Sequence, residues 1–154
     1  MVMELKRSAY EKCKDGGLLR PIPPSKSQSE ASLRASGRWL KEAGMNQSNE
    51  AFNSSVIASY LAMFHAARAL LFRDGVRERS HFCIARYLEE KYVKNEMLAQ
   101  DWVDLLDHAR ELRHEDQYDA TFSTTKEEAA EALRTAGKFV EEMNDLLKRT
   151  ESAP

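Results

Sequence analysis

From Phe52 to Leu71 the apolar residues fall on two adjacent helical stripes. Phe52, Val56, Tyr60, Met63, Ala67 and Leu70 form one, and Ile57, Leu61, Phe64 and Leu71 the other. A helix apolar over so much of its circumference must lie at the centre of a bundle or in an interface between copies. Ser59, His65 and Arg68 interrupt the longest apolar stretch, Val56 to Phe72, whereas a membrane span needs about 20 mostly apolar residues. The sequence therefore predicts a core helix of a protein with no membrane contact. With 154 residues the chain is sized for one domain, and six Gly and four Pro favour long helices over many strands.

The rest of the chain supplies partners for that helix. A short helix is expected at residues 3–14, ended by Gly16-Gly17. An extended arm follows through Pro21, Pro23 and Pro24, laying Leu18, Leu19 and Ile22 on the body. A first body helix is expected at 28–43, with Leu33, Gly37 and Leu40 on one face and Gly44 as its stop. The apolar helix spans 48 or 49 to 73, with Gly75 past its end. Ser80 is a natural N-cap for a third helix, which Asn95 could end. A fourth begins near Asp101, with Trp102, Leu105, Leu106, Ala109 and Leu112 on one side. The capping box Thr124-Thr125-Lys126-Glu127 opens the last, whose buried stripe is Ala129, Leu133, Ala136, Val140, Met143 and Leu147. The expectation is an all-α, up-and-down bundle of about five helices, residues 28–150, preceded by a helix and arm at 1–27. No strand is expected.

A net charge of −2 gives no global attraction to nucleic acid. Basic residues do cluster locally, however, as Arg68, Arg73, Arg77, Arg79 and Arg86 against Asp74 and Glu78. Met1 to Lys6 show no apolar signal core. Two cysteines, Cys13 and Cys83, make neither a metal cluster nor a disulfide framework, and Cys83 reads as a small buried apolar residue. A reducing, cytoplasmic setting is the expectation.

No glycine-rich phosphate loop, paired metal-spaced histidines or serine elbow occurs. No metal or cofactor is expected. The segment Arg110-Glu111-Leu112-Arg113-His114-Glu115-Asp116-Gln117-Tyr118 carries the interest. Arg110, His114 and Tyr118 recur every four residues, on one side of a helix. Arg113 falls between Trp102 and Leu106 inside the apolar arc. A charge there must meet an acid, a carbonyl or a phosphate, and a guanidinium fork suits phosphate. Histidine moves protons near neutral pH. The plainer alternative is a basic helix C-terminus with an Arg113–Asp ion pair. Arg79 and His81 flank the Ser80 cap, where free N–H groups would also suit an anion, unless this is only a solvated loop. His65 and Arg68 read as a packed histidine and a snorkelling arginine.

The string Ser59-Tyr60-Leu61-Ala62-Met63-Phe64-His65-Ala66-Ala67-Arg68-Ala69-Leu70-Leu71-Phe72-Arg73-Asp74-Gly75 resembles the HEPN family (higher eukaryote and prokaryote nucleotide-binding domains). The ordered pieces Arg77 to Cys83, Tyr92-Val93-Lys94 and Glu111 to Glu115 with Tyr118 are similar to its small archaeal and bacterial members, over nearly the whole chain. The resemblance implies a dimeric helical bundle. It implies a minimal nucleotidyltransferase as partner in a toxin–antitoxin-like pair. Active members are metal-independent RNases with an R-x(4–6)-H motif, in which Arg holds the scissile phosphate and His transfers protons. Some carry a tyrosine that the partner modifies with AMP, which would fall on Tyr118. This chain departs from the motif: with four residues between, Arg113 is followed by Tyr118, and with six between, Arg110 is followed by Gln117. Gln is no general base at neutral pH.

Two functions are thus expected to compete. One is a nucleotide- or RNA-binding partner of a nucleotidyltransferase, using Arg110, Arg113, Tyr118, Arg79 and His81. The other is a metal-independent RNase toxin with a degenerate site, using Arg113 and His114. A purely structural adaptor is the third reading. The central helix's excess of apolar surface adds the expectation of a homodimer.

Overall fold

The computed structural model describes residues 7–151. Its elements are α1 (Ala9–Asp15), β1 (Leu19–Pro21), α2 (Lys26–Ser48), α3 (Phe52–Asp74), β2 (Val76–Glu78), α4 (His81–Leu88), a π turn (Glu89–Val93), α5 (Gln100–Tyr118) and α6 (Lys126–Arg149). The all-α bundle is as the sequence predicts, with six α-helices among the described residues. The part of the expected first helix at 3–6, like the Met1–Lys6 reading, lies outside those residues.

Helix α3 is the hub. By length and composition it could cross a membrane, but 78% of its most apolar window is buried inside the bundle. Helices α2, α4, α5 and α6 all pack on it. The apolar circumference that suggested a second copy is thus largely covered within one chain. Gly75 ends α3 in the left-handed region (φ 84°). A Cβ there would stand 2.8 Å from the Ile22 carbonyl oxygen. Gly75→Ala should therefore cost about 2 kcal/mol or more, through backbone strain and this clash. Gly44→Ala, where a Cβ meets nothing within 4 Å, should hold or slightly raise stability. Thermal melts of the two variants test the pair.

Three expectations need correction. Gly44 does not stop α2, which continues to Ser48. The cost of one glycine, about 1 kcal/mol, is outweighed by packing along α3. The buried face of α2 is Ser29, Ser32, Ser36 and Ala43, while Leu33 and Leu40 are half-buried and Gly37 is exposed. Small residues let the two helices approach, and Ser55 Oγ of α3 donates to the Ala43 carbonyl at 2.9 Å.

The arm is also a strand. Leu19 pairs with Glu78, Arg20 with Arg77 and Pro21 with Val76, antiparallel. Strands of three residues are too short to show the alternation that marks a strand in sequence. Of the three arm residues expected to pack, Leu19 is buried, Ile22 half-buried and Leu18 exposed.

Finally, Cys13 and Cys83 are joined, with Cα atoms 5.8 Å apart. They are not separate buried thiols. The bond fastens α1 to α4 across 70 residues, a contact invisible in spacing. It also removes the basis for inferring a reducing compartment from cysteine usage.

Helix α6 starts where expected, but its cap lies one residue beyond the expected Thr124–Glu127 box: Thr125 Oγ1 accepts from the Glu128 N–H at 3.1 Å. Its stripe buries Phe139 and Leu146 with Ala129, Ala136, Val140 and Met143, leaving Leu133 and Leu147 half-buried. Ser80 precedes α4, but its side chain makes no capping bond. The following π turn has a visible use. A π-helical register brings residues five apart onto one side, and Tyr87 and Tyr92 both donate to Asp74. Arg73 beside them donates to the Leu147 carbonyl at 2.9 Å, holding the end of α6.

Candidate functional site: an arginine–histidine cleft

The ribbon of β1 and β2 delivers the chain to Ser80, and α4 then begins against α3 and α5. An open cleft of about 480 Å³ lies there, lined by Ser80, His81 and Phe82 from the start of α4 and by Arg110, Glu111, Arg113, His114 and Glu115 from α5. Four of the six sequence-chosen residues thus meet in one place: Arg110, Arg113, His114 and His81. Arg79 and Tyr118 do not line it. Arg79 is exposed on the approach to α4, its backbone N–H donating to the Leu18 carbonyl. Tyr118, the last residue of α5, is 66% exposed, with its ring 4.9 Å from that of His114.

Arg113 decides the electrostatics. Its guanidinium lies over the Tyr60 ring, 5.2 Å from the centroid. Its Nη1 donates to Gln117 Oε1 at 2.9 Å. Among the described residues no carboxylate pairs with it, so the Arg113–Asp bridge of the plainer reading is not formed. An amide oxygen and a π face orient a cation without neutralising it. Gln117 therefore positions the arginine.

Arg110 shares its counter-charge with Arg86, apart from a long contact of 3.9 Å to the exposed Glu111. Asp107 lies 3.4 Å from it and also pairs with Arg86, which in turn reaches Glu89 at 2.7 Å. Arg86 and Arg110 both sit over the Phe82 ring, 4.6 and 5.2 Å from its centroid. Phe82 is thereby held half-exposed at the cleft. Glu111 and Glu115 also line the cleft. They are exposed, so water screens them more than it screens the part-buried arginines.

His81 is the residue whose setting the sequence did not disclose. Its Nδ1 lies 2.8 Å from the Tyr60 hydroxyl. Its ring stacks on Phe64 with centroids 4.2 Å apart. Burial, and then Arg113, Arg110 and Arg68, push its pKa below the ordinary histidine value. Burial holds the Tyr60 hydroxyl well above its ordinary value, so it stays protonated. With Tyr60 donating to Nδ1, the neutral ring carries its proton on Nε2 and is a donor. With Nδ1 protonated, Nε2 is a base. His81 and Tyr60 come from α4 and α3, and only tertiary packing brings them beside the α5 arginines.

The HEPN domain model matches residues 29–146, well over half of the chain. The chain belongs to the HEPN domain family. It is also 27% identical over 100 residues to a protein of Methanocaldococcus jannaschii named "Putative toxin", an alignment that covers 64% of this chain and 68% of that protein. In this HEPN domain α5 brings Arg110, Arg113 and His114 to the cleft, and His81 reaches the same cleft from α4.

A pH dependence follows. His81 and His65 both have depressed pKa values, each chiefly through burial and then neighbouring arginines. The unfolded chain therefore binds protons at higher pH than the folded one. Stability from this source is complete above about pH 6.5 and falls as the pH drops below it, levelling once the folded rings protonate. Melting temperatures between pH 7.5 and 5 should show this decline. The double variant His65→Gln, His81→Gln should flatten it, and an unchanged profile would refute the assignment.

Proposed function

We propose that the arginine–histidine cleft binds the phosphate of RNA or of a nucleotide. In this reading the protein is the HEPN half of a toxin–antitoxin-like pair whose other half is a minimal nucleotidyltransferase. The observation that carries the reading is Arg113, part-buried, aimed by Tyr60 and Gln117, and without a carboxylate partner among the described residues. An anion is the missing counter-charge. His81 with Nε2 protonated adds a neutral donor. Phe82 and Tyr118 offer exposed rings for a base to stack on. The name of the archaeal relative supports a toxin-like role.

In a two-fold dimer the two clefts could line one groove, and Tyr118, exposed at the end of α5, would be open to modification by the partner enzyme. Fluorescence anisotropy with a labelled single-stranded RNA, with ATP as competitor, tests the binding. Co-purification with a co-expressed nucleotidyltransferase encoded beside it tests the pairing. Affinity that is unchanged in Arg110→Ala, Arg113→Ala, or no association at all, would sink the respective half.

A specific observation favours metal-independent RNA cleavage as the second reading. Both His81 and His114 line the cleft with the arginines, so two proton carriers stand where the motif has lost one. Cleavage in EDTA that is abolished by His81→Ala or His114→Ala would move the assignment to this reading.

A further inference from the structure

A second cleft, of about 500 Å³, lies between α5 and α6 over α3. It is open because both helices pack on α3 and scarcely on each other, and because small residues, Ala109 and Ala132, line it on either side. Val56, Met63, Leu105 and Leu112 supply most of its apolar wall. That volume and lining are those of a small-molecule site.

Two polar features mark this cleft as more than an unfilled gap. Ser59 lines it, is 1% exposed, and its Oγ has no hydrogen-bond partner among the described residues. A buried hydroxyl is ordinarily satisfied, so this one calls for a partner in the cavity. The ionisable side chains lining the cleft are Glu128, Glu131 and His108, all exposed; no lysine or arginine lines it. Among the described residues the carboxylate of Glu131 pairs with Arg134, which leaves Glu128 as the rim carboxylate without a cation partner. The cavity is therefore apolar along its walls, hydrogen-bonding at Ser59 and acidic at its rim.

We infer that this cleft is a binding site for a small aromatic amine with a hydroxyl at the end away from its ammonium group. The ring packs among Met63, Leu105 and Leu112, the hydroxyl meets Ser59 Oγ, and the ammonium faces Glu128 and Glu131. This site is separate from the arginine–histidine cleft, which attracts the opposite charge, and it stands whether or not that cleft binds RNA.

The test uses the full chain and three probes: tyramine, phenethylamine and 4-hydroxyphenylacetate. Titration calorimetry gives the affinities, and the ¹³C-labelled Met63 methyl resonance reports the place. Tyramine should bind, shift the Met63 methyl, and exceed phenethylamine by about tenfold through the Ser59 bond. It should exceed 4-hydroxyphenylacetate by about fivefold or more through the rim charge. Ser59→Ala should erase the first difference and Glu128→Gln, Glu131→Gln the second. Ala132→Phe, which fills the cleft, should abolish binding. The inference is overturned if tyramine leaves Met63 unmoved or if the three probes bind alike. It is overturned equally if Ala132→Phe instead converts a dimer to a monomer in sedimentation, since the occupant would then be a second copy.

Discussion

Replacing Arg113 with alanine should weaken RNA binding tenfold to a hundredfold and leave the melting temperature within a few degrees of the parent. The first figure follows from losing a charge-assisted contact to phosphate, about 1.5–3 kcal/mol. The second follows from what the side chain does inside the chain. It makes no ion pair among the described residues, one hydrogen bond to Gln117 and one π contact with Tyr60. Those are worth about 1 kcal/mol together, which moves the melting temperature of a chain this size by about 2–4 °C. Arg113→Lys should recover only part of the affinity, because the ammonium lacks the planar fork. The opposite pattern, a large drop in melting temperature with affinity intact, would make Arg113 structural and withdraw it from the site.

Reduction of the Cys13–Cys83 bond should lower stability by about 2–4 kcal/mol, or roughly 5–15 °C in melting temperature. The bond closes a loop of 70 residues, so the oxidised chain has far fewer unfolded conformations to lose. Both sulfur-bearing residues are nearly inaccessible, 3% and 1% exposed, so a reductant should reach them only when α1 opens. Differential scanning calorimetry with and without a phosphine reductant checks the size. Cys13→Ser should melt at the reduced protein's temperature under both conditions. Two free thiols titrated in the unreduced, denatured protein would show that the bond does not form.

The α5 constellation was legible in the sequence because it is local. Arg110, Arg113 and His114 lie on one helix, so helical periodicity alone sets their relative directions. The start of α6, to within one residue, and the glycine stop at 75 were legible for the same reason. Other features depend on which helices meet. The serine face of α2 carries no apolar signal, and its burial follows only from the close approach to α3. The bond between Cys13 and Cys83 needs α1 laid against α4. Tyr60 reads as a core aromatic on the apolar stripe, which it is. Its hydroxyl reaches His81 only because α4 starts beside the middle of α3. The π turn has no sequence mark beyond the five-residue spacing of Tyr87 and Tyr92, and that spacing gains meaning only once both are seen on Asp74.

The β1–β2 ribbon bears on where the working unit of this protein begins. The family match starts at residue 29, after the arm. Yet the arm holds the far side of the segment that enters the cleft. Leu19 pairs with Glu78, the Leu18 carbonyl accepts the Arg79 N–H at 2.9 Å, and Cys13 is bonded to Cys83. Ser80, His81 and Phe82 lie inside that bracket. A chain trimmed to the matched residues would keep every helix that builds the α3-centred core and would lose the splint on the start of α4. The boundary of sequence similarity and the boundary of the intact cleft are therefore different places, separated by the segment from Cys13 to Gln28.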